Sequence, residues 1–483
     1  MVQMLSIMKH RGPDSAGVFI DGETRVGGAP EHLDVSNVKG KLALGHTHLI
    51  ITSAEDQPLT GCLGKLTLVH DGEIYNRQEI RSQLTGHHFR TDSSSEVTIH
   101  LIEENYSRNL IEAVKASLPQ LDGVYAFAIV RENEIVVARD PVGVKPLYLG
   151  EDDEFVAFAS ERKALWKIGI KNVQPLLPGN VTLLTERGYF ISPALTLVKP
   201  KVEDFDMETA AVRLKEALYK SFEARIKNIR RPGIAFSGGL DSSLAAKIVS
   251  DLGGKATLYT AGLEGSPDVK AAEEVCSNLG YELHTRILTA KDVETYIPKV
   301  IYAIEEADVM KVATGLPLYA AAELAHSDGM KVMIAGQGSD ELFGGYARYL
   351  NVLRQGGYQQ LHENLWNDLV AIYRVNLQRD DAVAMANSVE LRVPYLDVTV
   401  IKTAMGMPPS FKIGGPEDIL KKRILRRVAK MVDLPAKIVD RPKKAIQYGS
   451  GVDKVIKTLA KKSEKSVENY LDDIHIATFR DFS

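Results

Sequence analysis

The sequence predicts two folded domains in series: an α+β layered domain built on antiparallel sheet over residues 1–200, then an α/β domain with a parallel sheet over residues 201–483. Three observations carry this. Short β-rich runs separated by turns fill Lys41 to about Leu197, the texture changes after Pro200 and Lys201, and beyond that point strand-like and helix-like runs alternate. A length of 483 residues suggests roughly two or three domains. With 45% hydrophobic and 25% charged residues, each domain can bury a core of its own, which excludes disorder as the main state.

In the first domain the strand-like runs are Lys65 to Val69, Val124 to Val130, Glu134 to Ala138, Phe155 to Ala159 and Val181 to Leu184. Helical patterns near Arg77 to Leu84 and Ser95 to Glu104 interrupt them, hence α+β rather than all-β. In the second domain Met207 to Ile226 is amphipathic and helical, Gly233 to Phe236 reads as a short buried strand, and Asp241 to Leu252 as the helix after it. Thr257 to Ala261, Val269 to Leu279 and Lys331 to Ala335 continue the alternation, which predicts a parallel sheet flanked by helices. Lys454 to Lys465 reads as a solvated helix.

A formal net charge of -4, from 59 basic and 63 acidic residues, provides no global field for nucleic acid or an anionic membrane. No apolar run approaches the roughly 20 residues that span a bilayer. Met1 to Met8 run into Lys9, His10 and Arg11, unlike a secretory signal. Cys62 and Cys276 cannot form a disulfide framework or supply four zinc ligands, and both are expected as small buried hydrophobes. A cytoplasmic protein acting on small molecules is the expectation.

The sharpest local signal is Ser237-Gly238-Gly239-Leu240-Asp241-Ser242-Ser243, between a predicted strand and helix. Two glycines let the backbone turn so that successive N–H groups and a helix N-terminus face one anion, while serine hydroxyls add donors. Asp241 would repel phosphate directly but suits Mg²⁺ bridging phosphate oxygens. The Walker spacing is absent. The alternative is a serine-capped helix start whose glycines serve packing alone.

The loop resembles the pyrophosphate loop of the ATP pyrophosphatase group. Residues 262–268 (Gly-Leu-Glu-Gly-Ser-Pro-Asp), 336–346 (Gly-Gln-Gly-Ser-Asp-Glu-Leu-Phe-Gly-Gly-Tyr), 390–397 (Glu-Leu-Arg-Val-Pro-Tyr-Leu-Asp) and 441–443 (Arg-Pro-Lys) follow in the order found in glutamine-dependent asparagine synthetases. The first domain carries His10-Arg11-Gly12-Pro13-Asp14-Ser15, Asp71-Gly72-Glu73-Ile74-Tyr75-Asn76 and residues 139–148 (Arg-Asp-Pro-Val-Gly-Val-Lys-Pro-Leu-Tyr), which resemble that family's Ntn-hydrolase-like glutaminase domain. The resemblance implies a ligase that joins aspartate and an amine, using ATP and Mg²⁺, through a β-aspartyl-adenylate. Asp241 and Asp340 would hold the metal, and Ser237, Gly238, Gly239, Leu240, Ser242 and Ser243 would form the phosphate cradle. Gly262 and Gly336 would lie at the nucleotide, and Lys443 would face the α-phosphate and the developing oxyanion. Taken singly, Asp340 could be a turn aspartate, Lys443 a solvated lysine and Arg392 a partner of Glu390. The resemblance leaves a homodimer open.

The first domain departs from the family pattern. The family's nucleophile is a cysteine directly after the initiator methionine, and position 2 here is Val2. A start codon placed too far downstream would explain that, and also the missing leading strand. It cannot explain internal residues. The family's carboxylate-binding arginine is His48, the oxyanion-hole asparagine is Asp71, and the ammonium-binding aspartate is Ser94. The resemblance therefore implies a degenerate, structural glutaminase-like domain, with Cys62 as core and Gly72-Glu73 kept for a turn. In the second domain Gln337 stands where asparagine synthetases place a carboxylate, and it cannot act as a base. Asp308 to Ala313 lacks the familiar Thr and Arg pattern. Free ammonia attacking activated aspartate leads; another acceptor carboxylate or an internal amine, as in β-lactam synthetases, and a non-catalytic ATP-binding protein stay open.

Overall fold

A computed structural model describes residues 1–52, 55–442 and 449–482. It divides into two compact units, Met1–Leu197 with the last residues from Asp481, and Val198–Arg480.

The first unit is built on a six-stranded antiparallel sheet in the order Gly188–Pro193, Asn180–Thr185, Glu134–Arg139, Gly123–Arg131, Thr67–Ile74, Leu59–Thr60. Along Gly123–Arg131 the side chains alternate between two cores, as a period of two requires. Tyr125, Phe127 and Ile129 join Val97, Leu101 and Val114 of the helices Ser94–Asn105 and Leu110–Ser117. Ala126, Ala128 and Val130 join Leu44 and Leu149, from two smaller antiparallel sheets. A strand buried on both faces reads as one unbroken apolar run, which is why this one is conspicuous in the sequence. The result is the layered α+β fold expected, with helices over one face of the large sheet and further strands over the other.

The second unit holds five parallel strands in the order Glu282–Leu288, Thr257–Leu263, Gly233–Ala235, Val332–Ile334, Glu390–Arg392. The chain starts in the middle strand, builds outward on one side, then crosses to build the other. The order therefore reverses between Gly233–Ala235 and Val332–Ile334, and loops leaving the carboxyl ends of those neighbours diverge around a crevice. The predicted helix Met207–Ile226 is found at those bounds, its N-terminus capped by Asp206, which accepts from the Thr209 N–H at 2.7 Å.

Several expectations need correction. Cys62 is exposed rather than core, because it follows a two-residue strand at the sheet edge; Cys276 is buried. The helix Val452–Lys462 is solvated on one face only, with Ile456 and Leu459 buried. Gly72 and Glu73 lie inside the strand Thr67–Ile74 and not in a turn. Glycine is needed at 72 for close approach, since a Cβ there would stand 2.1 Å from the Val124 carbonyl oxygen.

Candidate active site

The first loop at the crevice joins Gly233–Ala235 to the helix Leu240–Asp251. Gly238 adopts φ +65°, and a Cβ there would lie 2.5 Å from the Ala271 carbonyl carbon. Gly239 has ordinary extended backbone, and its Cβ would meet only the Ser237 hydroxyl at 3.3 Å. Gly238→Ala is therefore expected to cost about 1–3 kcal/mol in denaturant unfolding, from left-handed strain and backbone overlap. Gly239→Ala should change stability by less than about 1 kcal/mol. Equal effects would contradict this geometry.

Ser242 Oγ lies 3.3 Å from the Ser237 N–H and donates to the Gly239 carbonyl at 3.3 Å, folding the loop over the helix start. Leu240 and Ser243, three apart, share the inner helix face, and both are buried. Ser243, expected as a cradle hydroxyl, is fully buried. Ser237, Asp241 and Ser242 line a cavity of about 900 Å³, with Gly336, Gln337, Asp340 and Glu341 across from them.

The second loop leaves the neighbouring strand Val332–Ile334 and enters the short helix Ser339–Phe343. At Gly336 a Cβ would approach the Asp241 Cβ to 3.2 Å, so a small residue lets the loops close together. Asp241 and Asp340 are thereby brought together, each the second residue of a helix. Between them lies a side chain that the sequence reading passed over. Lys422 Nζ is 2.8 and 2.7 Å from the two Asp241 carboxylate oxygens, 2.7 Å from Asp340 Oδ1 and 3.0 Å from Ser339 Oγ. Lys422 is almost wholly buried and held at φ +50°, just before the helix Arg423–Met431. Lys421 and Arg423 flank it, and nothing in the sequence marks which of the three turns inward.

The remaining motifs brace this centre. Tyr395 Oη donates to the Asp241 carbonyl at 2.9 Å. Arg392 pairs with Glu390 at 2.8 Å and donates to the Arg225 carbonyl at 2.6 Å; Arg225 in turn pairs with Asp397 at 2.9 Å. Arg441 reaches the Gly238 carbonyl at 3.3 Å, while Lys443 lies outside the described residues. Gly262 is the last residue but one of the strand Thr257–Leu263, and a Cβ there would stand 2.8 Å from Ser266 Oγ. Met310, at the start of the helix Val309–Ser327, also lines the cavity. Glu341 accepts from the Tyr346 hydroxyl at 2.6 Å and from Asn376 at 2.9 Å. Burial, and then the neighbouring Asp340 charge, pushes its carboxyl up to about 7. Gln337 adjoins Asp380, whose carboxyl is also pushed up by burial, against the pull of Arg379.

In the first unit, Arg11 is buried and reaches both Glu161 at 3.4 Å and Asp71 at 3.3 Å. Gly12 lets the chain pass against Thr47 and His48, where a Cβ would overlap backbone at 2.2 Å. Asp140 accepts from the backbone N–H groups of Val142, Gly143, Val144 and Lys145, and Arg139 donates to the carbonyls of Gly143, Lys145 and Leu176. That folded loop delivers Lys145 Nζ to Asp71 at 2.9 Å. Burial raises the Asp71 carboxyl, but Lys145 and Arg11 outweigh it and hold the group well below the usual carboxylate range. Ser94 Oγ donates to Glu73 at 2.9 Å and accepts from the Ile74 N–H at 2.9 Å, while Glu73 pairs with Arg77 at 2.6 Å. His48 lies edge-on to His46, with ring centroids 5.5 Å apart.

Comparison with known proteins gives the family. A family model described as asparagine synthase matches residues 213–359 and 353–479, and one described as a glutamine amidotransferase domain matches residues 1–175. The chain is 38% identical to "Putative asparagine synthetase (glutamine-hydrolyzing) 1" of Methanocaldococcus jannaschii, over 98% of this chain and 95% of that one. It is 33% identical to an asparagine synthetase (glutamine-hydrolyzing) of Sandersonia aurantiaca, over 92% and 82% of the two chains. It is 32% identical to asparagine synthetase (glutamine-hydrolyzing) 1 of Lotus japonicus, over 92% and 74%. The chain belongs to the asparagine synthetase family and is a carbon–nitrogen ligase of the asparagine synthase type.

Proposed function

We propose that the second unit converts aspartate, ATP and ammonia to asparagine, AMP and pyrophosphate through a β-aspartyl-adenylate. The observation that carries this reading is the pair Asp241 and Asp340, presented from two helix starts at the point where strand order reverses and sharing one cation, the Lys422 ammonium. A set of carboxylate and hydroxyl oxygens that already surrounds an ammonium suits a hard divalent cation, so the residues fit Mg²⁺. Asp241 and Asp340 would hold it, and it would supply charge on the pyrophosphate oxygens that eases their departure. Ser237, Ser242 and the N–H groups at the start of Leu240–Asp251 bind the phosphates. Lys443 is proposed at the α-phosphate, as the family resemblance implies. Gln337 cannot take a proton, and Glu341, a carboxylate in the same cavity wall, is the group we assign to remove one from ammonium.

For the first unit we propose a silenced glutaminase. Asp71 is fixed as an anion by Arg11 and Lys145, and a fixed carboxylate opposes the negative charge that an oxyanion hole must accept. Ser94 spends its hydroxyl on Glu73 and the Ile74 backbone, which supports a packing role.

Pyrophosphate release from Mg-ATP with aspartate, run with ammonium, with glutamine and with neither, tests both readings. Release with ammonium and not with glutamine is expected. Glu341→Gln should keep aspartate-dependent exchange of pyrophosphate into ATP while losing asparagine formation about 100-fold. Glutamate release from glutamine at the ligation rate would refute the silenced domain. Silence with aspartate under every condition would favour another acceptor carboxylate, a reading that Gln337 and Met310 at the cavity wall support.

A further inference from the structure

Away from both of these regions, four side chains of the first unit turn ligand atoms toward one point. Cys62 follows the strand Leu59–Thr60, His87 lies beyond the helix Arg77–Gln83, and His100 and Glu103 sit three residues apart on one face of Ser94–Asn105. One ligand atom from each lies within 4.8 Å of the other three. Cys62 Sγ is 3.2 Å from His87 Nδ1 and 3.5 Å from Glu103 Oε2. Glu103 Oε2 is 3.4 Å from His87 Nδ1 and 2.8 Å from His100 Nδ1. Zinc bonds of about 2.0–2.3 Å in a tetrahedron set ligand atoms roughly 3.3–3.8 Å apart, so small side-chain movements make these four a coordination shell.

We propose that Cys62, His87, His100 and Glu103 form a closed, structural Zn²⁺ site. The far nitrogen of each imidazole also faces a carboxylate: His87 Nε2 lies 3.1 Å from Glu104, and the buried His100 Nε2, which has no hydrogen-bond partner among the described residues, lies 3.7 Å from Glu96. The His87–Glu104 contact orients that ring and strengthens it as a donor. The second Glu103 oxygen accepts from the Leu63 N–H at 3.1 Å, and Gly61 leaves room for it, since a Cβ there would stand 2.2 Å away. A thiolate and a carboxylate balance the two charges of the ion, and the thiol proton leaves on binding. His100 and Glu103 are fully buried while Cys62 is open to solvent, which gives the ion its way in. The site ties the sheet edge to the helix behind it. Counting cysteines misses it, because three of its four ligands are not cysteines.

The test uses the full chain, stripped with chelator and titrated with Co²⁺ as the probe. One tetrahedral, thiolate-bound Co²⁺ per chain is expected, with intense d–d absorption and a thiolate-to-cobalt charge-transfer band, displaced by one equivalent of Zn²⁺. Cys62→Ser should lose the charge-transfer band and weaken binding at least ~100-fold, and His87→Ala should weaken it similarly. Zn²⁺ should also slow iodoacetamide labelling of Cys62 at least ~10-fold, read by mass spectrometry, with buried Cys276 as internal control. Lack of a tetrahedral, thiolate-bound cobalt spectrum, Cys62→Ser binding as tightly as the parent, or labelling indifferent to Zn²⁺ would each overturn the assignment.

Discussion

Asp241→Asn and Asp340→Asn should each reduce pyrophosphate release by about 10³-fold or more, a loss of about 4 kcal/mol of transition-state stabilisation. The substitution removes a charge from the proposed metal pair and changes little else. Lys422 contacts both carboxylates, so either variant leaves its buried ammonium one full anion, and asparagine keeps an oxygen that accepts a hydrogen bond. Unfolding free energy should therefore fall by no more than about 1–2 kcal/mol, a loss that leaves the fold intact. The tyrosine contact to residue 241 runs through the backbone carbonyl and survives the change. Activity and stability are thus expected to separate. Parent-like turnover in either variant would remove the metal assignment, while collapse of the fold in both would make the pair structural first.

Those two carboxylates were legible in the sequence because each sits in a motif with glycines at fixed offsets, and the glycines have backbone reasons to be there. Gly238 needs left-handed backbone, and Gly336 must let two loops approach. Long apolar runs were legible too: Gly123–Arg131 feeds two cores, and Met207–Ile226 shows one clear face. The strand Glu282–Leu288 was not, since its sequence Glu-Leu-His-Thr-Arg-Ile-Leu is mostly polar and its hydrogen bonding to Thr257–Leu263 decides it. The three-residue strand Glu390–Arg392 was not legible either, because it is charged at both ends, whereas the equally short Gly233–Ala235 and Val332–Ile334 are apolar and were expected. Lys422 was illegible for another reason. Its role depends on a left-handed turn that swings one of several adjacent basic residues inward, a tertiary fact with no local signature.

Lys422→Met is expected to be the most damaging single change to the fold at this centre. The parent holds two mostly buried carboxylates around one ammonium, and methionine fills similar volume with no charge. Two anions are then left facing each other in a low-dielectric crevice, and removing one partner of a buried ion pair costs about 3–5 kcal/mol. Lys422→Arg should recover little of that, because the oxygens of Asp241, Asp340 and Ser339 close around a compact ammonium at 2.7–3.0 Å, and a planar guanidinium spreads its donors too widely. The cation slot itself would remain. Mg²⁺ should then raise the melting temperature of Lys422→Met more than that of the parent, since an ion bound by the native state alone stabilises it by mass action. An Asp340→Asn/Lys422→Met double variant should be more stable than Lys422→Met and lose the Mg²⁺ response, as one remaining carboxylate no longer repels a partner or grips a divalent ion. Unchanged stability in Lys422→Met would mean that water screens the two aspartates and that the lysine contributes nothing to holding them. A stability loss that Mg²⁺ does not relieve would separate the ion pair from the metal role proposed for it.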